Sequence, residues 1–147
     1  MSVIYDPKTF ELQEAIGHLI KGVRSAIVDA MERELAHLDI TAAQFVIMAR
    51  LAAGDTDSVS MLCKDVSYDP GAMTRMIDRL EAKGFIRRVR STEDRRTVKL
   101  ELTAEGRELY PELLACAVNV QNGLLRGFTK AEARELENYL RRMLANA

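Results

Sequence analysis

Two strand-like runs, at residues 85–90 and 97–102, restrict the fold of this chain more than any other feature of its sequence. In the second run apolar and polar residues alternate, which is typical of a strand with one face on a core and one face in water. The charged hexapeptide STEDRR, at 91–96, joins the two runs. The sequence therefore predicts a β hairpin with a charged loop.

The residues before the hairpin have the apolar spacing of helices. A first amphipathic helix is predicted over 10–38, and it is too long for one small core. A capping-box pattern at 41–44 begins a second helix, which Gly54 ends. A short third helix is predicted over 60–66, with its apolar residues facing inward. These three patterns lead up to the helix that directly precedes the hairpin.

That fourth helix has clear start and stop signals. Asp69 is suited to cap it, and Pro70 fits its first position because proline has no backbone N–H to leave unpaired there. Gly84 ends it. After the hairpin, Thr103 caps another long helix, and a second capping-box pattern at 129–132 begins the last one.

This order of elements predicts the fold class. Short helices followed by a two-stranded hairpin form a winged helix-turn-helix, in which the helix before the hairpin reads the DNA groove. We therefore predict a chain that is mainly α with a small β-hairpin wing (α+β). The remaining helices at both ends lie outside this DNA-binding unit.

Charge is distributed unevenly along the chain. The formal net charge of the 147 residues is −1, yet the segment 60–100 contains ten basic and six acidic residues, a net charge of +4. The rest of the chain therefore carries −5. Such asymmetry is typical of a phosphate-facing module on an acidic scaffold, although solvated charged surfaces are also common.

The exposed side of the fourth helix combines small and basic residues. Small side chains at its start allow a close approach to base edges, a threonine can bond a base or touch a thymine methyl, and arginine suits guanine. An ordinary surface helix is the alternative. The predicted DNA-binding residues on this helix are Gly71, Ala72, Thr74, Arg75 and Arg79.

The charged hairpin loop has a matching interpretation. Arg95 or Arg96 is predicted to enter the flanking minor groove, where a narrow A·T-rich stretch attracts a guanidinium group. Asp94 is predicted to brace these arginines by ion pairing, since an acid that faced phosphate would be repelled. A solvated turn is the alternative.

The stretch MTRMIDRLEAKGFIRRVRSTEDRRTVKLELTAEG, residues 73–106, resembles the recognition helix, wing and following helix start of the MarR-type transcriptional regulators. It includes the Asp-x-Arg wing signature of that family at 94–96 and the Leu-Thr pair that ends the wing at 102–103. The resemblance implies a homodimer that binds palindromic operator DNA, usually as a repressor and less often as an activator. It also implies release from DNA by a small phenolic, aromatic or lipophilic ligand.

The resemblance further implies a division of labour along the chain, within one MarR-type domain. Residues 1–38 are expected to form an N-terminal dimerisation helix, 39–103 the winged helix-turn-helix DNA-binding region, and 104–147 the C-terminal dimerisation helices. By position, Arg75 falls on the base- or phosphate-contacting arginine of the family, and Asp78 on an acid that can pair with a wing arginine.

One departure from the family pattern lies at the start of the fourth helix. The family commonly has more polar residues where this chain has Asp69-Pro70-Gly71.

No effector-binding residues are assigned. His18, Arg24 and Arg50 could line a pocket, but a surface or core position suits them better.

Other functional classes find little support. No apolar run approaches the roughly 20 residues of a membrane span, and the first residues lack a signal-peptide pattern, so we expect a cytoplasmic protein with no membrane partner. His18 and His37 are the only histidines, and no nucleophile motif or phosphate loop occurs, so no enzyme activity, cofactor or metal is expected. Cys63 and Cys116 match no metal or redox spacing and are expected to pack as small apolar residues.

One rival interpretation stays open. A dimeric winged-helix module could bind a protein partner, rather than DNA, through the same basic face. Counterion release makes DNA affinity fall steeply with salt, whereas a protein partner need not show that slope. RNA is least supported, because the eight aromatic side chains form no stacking cluster on the basic segment.

Overall fold

Helices dominate the architecture, and a hairpin interrupts them between the fourth and fifth helix. The computed structural model describes residues 2–54, 58–66, 69–94 and 96–147. The predicted class, mainly α with a small β-hairpin wing, is confirmed. Within the described ranges the elements follow one another as α1 (Ile16–Leu35), α2 (Ala42–Ala53), α3 (Val59–Val66), α4 (Pro70–Ala82), β1 (Ile86–Arg90), β2 (Val98–Leu102), α5 (Ala104–Leu124) and α6 (Lys130–Ala145).

The two predicted capping boxes are confirmed. The Thr41 hydroxyl accepts from the backbone N–H of Gln44, and the Gln44 side chain accepts from the backbone N–H of Thr41, both at 3.1 Å. Thr129 and Glu132 form the same reciprocal pair at the start of α6. These bonds satisfy N–H groups that have no partner inside the helix, so short local patterns fix where both helices begin.

The predicted first helix, 10–38, is too long. The α-helical part is only Ile16–Leu35, with a short 3-10 turn on either side. Ala15 has an extended backbone (φ −72°, ψ 144°), and the hydroxyl of Tyr5 accepts from the N–H of Ile16 at 3.1 Å. A residue eleven positions away therefore caps this helix, which the apolar periodicity does not reveal.

The hairpin is antiparallel and packs on the helices at its base, and Ser58 forms an isolated antiparallel bridge with Lys99 of β2. Its register runs from Ile86 opposite Leu102 to Arg90 opposite Val98. Leu100 and Leu102 are buried, whereas Val98 is 39% exposed. The alternation predicted for β2 therefore follows the core only as far as the hairpin contacts it.

The apolar core joins α1, α2, α3, α4, the base of the hairpin and α5. Full burial of a leucine, isoleucine or methionine side chain stabilises the folded state by roughly 1.5–3 kcal/mol. Because α4 supplies three of the buried side chains, it is firmly seated on the rest of the fold. The largest fully buried residues are Leu35, Ile47, Met48, Leu62, Met73, Ile77, Leu80, Ile86 and Leu113.

A second set of apolar side chains is exposed at the two ends of the chain. Helix α6 contains no buried residue at all. Monomeric proteins seldom leave so large an apolar surface uncovered. The exposed apolar residues of α1, α5 and α6 include Ile16, Leu19, Ile20, Val23, Leu114, Val118, Leu124, Leu136, Tyr139, Leu140, Met143 and Leu144.

Among the described residues, no single helix is long and apolar enough to cross a membrane. The segments Ile16–Leu38 and Ala42–Ala53 meet the length and composition criteria only as a pair, with a bend of 82° between them.

Candidate nucleic-acid interface

Helix α4 has one buried face and one exposed face. Met73, Ile77 and Leu80 are fully buried in the core. Arg75 and Arg79 lie on the exposed side, four residues apart and therefore about 6 Å apart along the helix axis. A rigidly seated helix thus presents two guanidinium groups to the solvent.

The start of α4 is closed by its own cap. The Asp69 carboxylate accepts from the backbone N–H of Ala72 at 2.9 Å. A Cβ atom on Gly71 would lie 3.1 Å from that carboxylate oxygen, so glycine leaves the cap undisturbed. Because the Asp69 charge lies where a helix start would attract phosphate, the small residues there suit close approach to a base better than phosphate binding.

Thr74 already uses its hydroxyl hydrogen. It donates to the Pro70 carbonyl oxygen at 2.8 Å, one turn earlier in the helix. Its lone pairs and its methyl group remain exposed. While that bond holds, Thr74 can accept from a base or contact a thymine methyl, but it cannot donate.

The wing loop is ordered by hydrogen bonds to Asp94. Its carboxylate accepts from the backbone N–H of Arg96 at 2.9 Å and from the Thr97 hydroxyl at 3.4 Å. No ion pair to the Arg96 guanidinium is present among the described residues. Asp94 therefore shapes the backbone of the loop and leaves the Arg96 side chain exposed. Arg95, the other predicted wing arginine, lies outside the described residues.

We call Arg75, Arg79 and Arg96 the open arginines. All three are exposed, and none forms an ion pair or a side-chain hydrogen bond with another residue in the part of the chain that the structure describes. Two lie on α4 and one on the wing, which are the two elements that a winged helix applies to DNA. Their positive charge is therefore available to an external anion.

Arg88 behaves in the opposite way and fastens the wing to α4. Its guanidinium contacts Asp78 at 2.5 Å and Glu81 at 2.6 Å, while its backbone N–H donates to Glu81 at 3.2 Å. The hydrogen bond to Asp78 and the charges of both acids raise the pKa of Arg88 above its ordinary value, against the effect of burial. Arg88 thus ties β1 to the exposed side of α4.

The resemblance implied that Asp78 pairs with a wing arginine; in the structure that arginine is Arg88, and Glu81 is a second partner that was not predicted. Asp78 and Glu81 are three residues apart, which brings two carboxylates to one side of a helix. That spacing was a usable signal. The partner arginine belongs to another element, so its identity depends on the tertiary fold.

Two further cations are paired inside the chain. Arg87 of β1 pairs with Glu101 directly opposite on β2. Lys83, at the end of α4, donates to the carbonyl oxygen of Asp39 and to the side chain of Gln44. We call Lys83, Arg87 and Arg88 the bridged cations.

A cleft of about 310 Å³ lies between α2, β2 and α5. It is lined by three apolar residues, one arginine and one tyrosine: Leu51, Ala52, Leu102, Arg107 and Tyr110. The three polar residues considered as pocket candidates from sequence do not line it. One of them, His18, instead lines a larger cleft of about 490 Å³ near the start of α1.

Cys116 is packed as predicted. It is buried, and its Sγ lies 3.8 Å from the Glu34 carbonyl oxygen. Burial raises the pKa of the Cys116 thiol, so the reactive thiolate is disfavoured. Cys63 is half-buried on α3, and both cysteines are unbonded thiols.

The sequence of this chain is similar to those of known proteins. Residues 40–98 match the MarR family. Over 130 residues the chain is 32% identical to the multiple antibiotic resistance protein MarR of Escherichia coli, and the match covers 88% of this chain and 90% of that protein. The similarity therefore extends well beyond the helix and wing.

Solved structures share the fold as well. The crystal structure of an E. coli MarR mutant complexed with operator DNA has a TM-score of 0.79 and 32% identity, covering 92% of this chain and 99% of that one. A Bordetella bronchiseptica BpsR structure, described as a mechanism for regulation of DNA binding by 6-hydroxynicotinic acid, has a TM-score of 0.79 and 28% identity. It covers 94% of this chain and 98% of its own.

Proposed function

The chain belongs to the MarR family, and on that premise we propose that it is a sequence-specific DNA-binding transcriptional regulator. It acts as a repressor, in the form of a homodimer, on palindromic operator DNA. The observation that carries this proposal is the set of open arginines on α4 and the wing. These charges have no described partner within the chain, and they lie on two elements that Arg88 locks together.

The contacts follow from the chemistry of each position. Arg75 reads guanine in the major groove and Arg79 contacts the backbone, while the small residues at the helix start let α4 approach the base edges. A wing arginine enters the adjacent minor groove. The proposed DNA-contacting residues are Gly71, Ala72, Thr74, Arg75, Arg79, Arg95 and Arg96, with Asp78 and Asp94 bracing the wing.

The second subunit covers the exposed apolar faces at the two ends of the chain. Helix α6 buries no side chain within its own subunit, and α1 and α5 expose apolar rows. Residues 1–38 and 104–147 therefore form the dimerisation helices, and 39–103 the DNA-binding region. Two such subunits present their recognition helices, the two copies of α4, about 34 Å apart. We call these two copies the reading helices, and their separation equals one turn of DNA.

A small aromatic or phenolic acid is the proposed effector class. The reported regulation of BpsR by 6-hydroxynicotinic acid supports this class. The cleft between α2, β2 and α5 lies where the DNA-binding region meets a dimerisation helix, and Arg107 offers a charge for a carboxylate. A ligand that weakens DNA binding must itself bind more weakly to the DNA complex by the same factor.

The proposal is for a regulator rather than an enzyme, acting in the cytoplasm where its operator DNA lies. The alternative of a protein partner on the same basic face has no specific observation in its favour. Both readings predict that the basic face is needed, so the identity of the bound polymer decides between them.

Selection of bound fragments from the host genome tests the proposal. The purified protein is expected to enrich fragments that share a palindrome, and the complex is expected to contain two chains per site by analytical ultracentrifugation. Enrichment of no common sequence at low salt would refute sequence-specific binding. A complex with one chain per site would refute the homodimer.

A further inference from the structure

The C-terminal end of α4 is fastened by Lys83. Its ammonium group donates to the carbonyl oxygen of Asp39 and, at 3.3 Å, to the side-chain oxygen of Gln44. It also lies 3.6 Å from the Asp39 carboxylate. Two of the three N–H donors of the lysine are therefore hydrogen-bonded, and the carboxylate adds a longer ion pair. The Lys83 side chain is only 28% exposed, unlike the open arginines.

The acceptors of Lys83 belong to a corner that the first two helices hold in place. Asp39, between α1 and α2, has a left-handed backbone (φ 54°, ψ 39°), and no other non-glycine residue in the described ranges has a positive φ. The Glu32 carboxylate of α1 accepts from the N–H of Ala42 at 2.9 Å, and Gln44 forms the capping box of α2. The position of this corner therefore follows the position of α1.

The residues after Lys83 are fastened to the other scaffold helix. The carbonyl oxygen of Gly84 accepts from the Thr103 hydroxyl at 2.6 Å, and that of Phe85 accepts from the Thr103 N–H at 3.1 Å. A Cβ atom on Gly106 would lie 2.1 Å from the Phe85 oxygen, so only glycine permits this approach of α5. The end of α4 is thus held between α1 and α5, the two helices that lead into the dimer.

We propose that Lys83 is a positioning residue that sets the angle of α4 on the dimer scaffold and thereby the distance between the two reading helices. The proposal rests on the proposed function. Helix α4 has 13 residues, so it is about 20 Å long. A rotation of about 10° at the Lys83 end moves the other end by about 3 Å, close to the roughly 3.4 Å rise of one base pair. Loss of the Lys83 contacts, which we call the anchor of α4, therefore changes which half-site separation of the operator the dimer can bind.

Lys83→Met tests this on operators whose half-site separation is native or is changed by one or two base pairs. Wild type is expected to prefer the native separation. For Lys83→Met, the ratio of Kd at altered separation to Kd at native separation is expected to fall at least about threefold. Lys130→Met removes the same charge at the first residue of α6, and this control, shown by analytical ultracentrifugation to remain a dimer, is expected to leave that ratio unchanged. An equal loss of affinity at every separation in Lys83→Met would overturn the proposal.

Two further variants guard against a simple folding defect. Lys83→Arg keeps a cation with several donors and is expected to restore the preference for the native separation. If Lys83→Met does not form a folded dimer, the milder Lys83→Gln is measured in its place, with the same expected flattening. A Lys83→Gln dimer that keeps the full wild-type preference would overturn the proposal.

A measurement without DNA separates this inference from the proposed function. A spin label is introduced at Arg79 through a bioorthogonal amino acid, which leaves both cysteines untouched, and the distance between the two subunits is measured. Lys83→Met is expected to broaden or shift the distribution relative to wild type and to Lys130→Met. An unchanged distribution would overturn the anchor. A broadened distribution in a protein that binds no DNA would support the anchor and refute the proposed function.

Discussion

The open arginines and the bridged cations differ in what satisfies their charge. Arg75 and Arg79 are exposed on α4, whereas Arg88 of the neighbouring strand β1 contacts Asp78 and Glu81. All belong to the same basic segment, so net charge alone does not separate them. The geometry does, because a guanidinium group already held by two carboxylates has little left to offer a phosphate.

The comparison shows that a basic segment can hold two functions at once. Its bridged cations fix the wing and α4 relative to each other and to the scaffold. Its open arginines are attached at fixed backbone positions on that rigid body, and they form no ion pair within the described part of the chain. Because the backbone positions of the open arginines are already fixed, DNA binding has to order only their side chains.

Among substitutions of the open arginines, Arg75→Ala should have the largest effect on DNA binding. We expect a loss of about 1–3 kcal/mol in the preference for operator over random DNA, because a bidentate contact to guanine is removed. Thermal stability should stay near that of wild type. Fluorescence anisotropy titrations on both duplexes measure the preference. An equal loss on operator and random DNA would make Arg75 a phosphate contact instead.

Arg88→Met should give the reverse pattern. We expect the free energy of unfolding to fall by about 1 kcal/mol, since two partly exposed carboxylates lose their partner. Urea unfolding measures this, with Arg79→Met as a matched control that should remain as stable as wild type. If both variants are equally stable, the distinction between bridged and open cations fails for stability.

Arg96→Ala should have a smaller effect, confined to DNA binding. The dimer should remain intact, and the slope of log affinity against log salt should decrease by about one for each subunit. Operators with A·T-rich flanks should lose more affinity than those with G·C-rich flanks, because the narrow groove attracts the guanidinium. The same loss on both kinds of flank would remove this arginine from the minor groove.

The smallest expected effect concerns an acid satisfied within the chain. The Glu132 carboxylate accepts from the Thr129 N–H, which lowers the pKa of Glu132 below its ordinary value. Its contribution to stability is therefore fully present above the ordinary pKa of the unfolded chain and is lost as the pH falls through the lowered pKa. Glu132→Gln should reduce the dependence of the melting temperature on pH between about 3 and 5. An unchanged dependence would show that the cap contributes no pH sensitivity.

The parts of the fold that were predictable from sequence are those set by local interactions. Thr41 and Thr129 bond residues three positions away, so a short pattern identifies both helix starts. The hairpin follows from alternation and a charged loop. The start of α1 was missed because the capping group, the Tyr5 hydroxyl, comes from a segment outside the helix.

In the candidate site, too, local features were predictable from the sequence, whereas contacts between elements were not. Exposed basic residues on an amphipathic helix are visible in the sequence, and Arg75 and Arg79 are exposed as expected. The partners of Arg88 and Lys83 lie on other elements, 7 to 44 residues away along the chain. Which cations are bridged therefore emerges only once α4, the wing and the α1–α2 corner have been brought together.

The salt dependence of operator binding tests the central claim most directly. The variant with Arg75, Arg79 and Arg96 replaced by alanine removes six charges from the dimer, and its slope of log affinity against log salt should be less steep than that of wild type by at least about two, the value for the Arg79 backbone contacts alone. A control variant with Arg126, Lys130 and Arg134 replaced, shown by analytical ultracentrifugation to remain a dimer, loses the same charge away from α4 and the wing and should keep the wild-type slope. Equal slopes for wild type and the first variant would contradict the assignment of the open arginines to DNA.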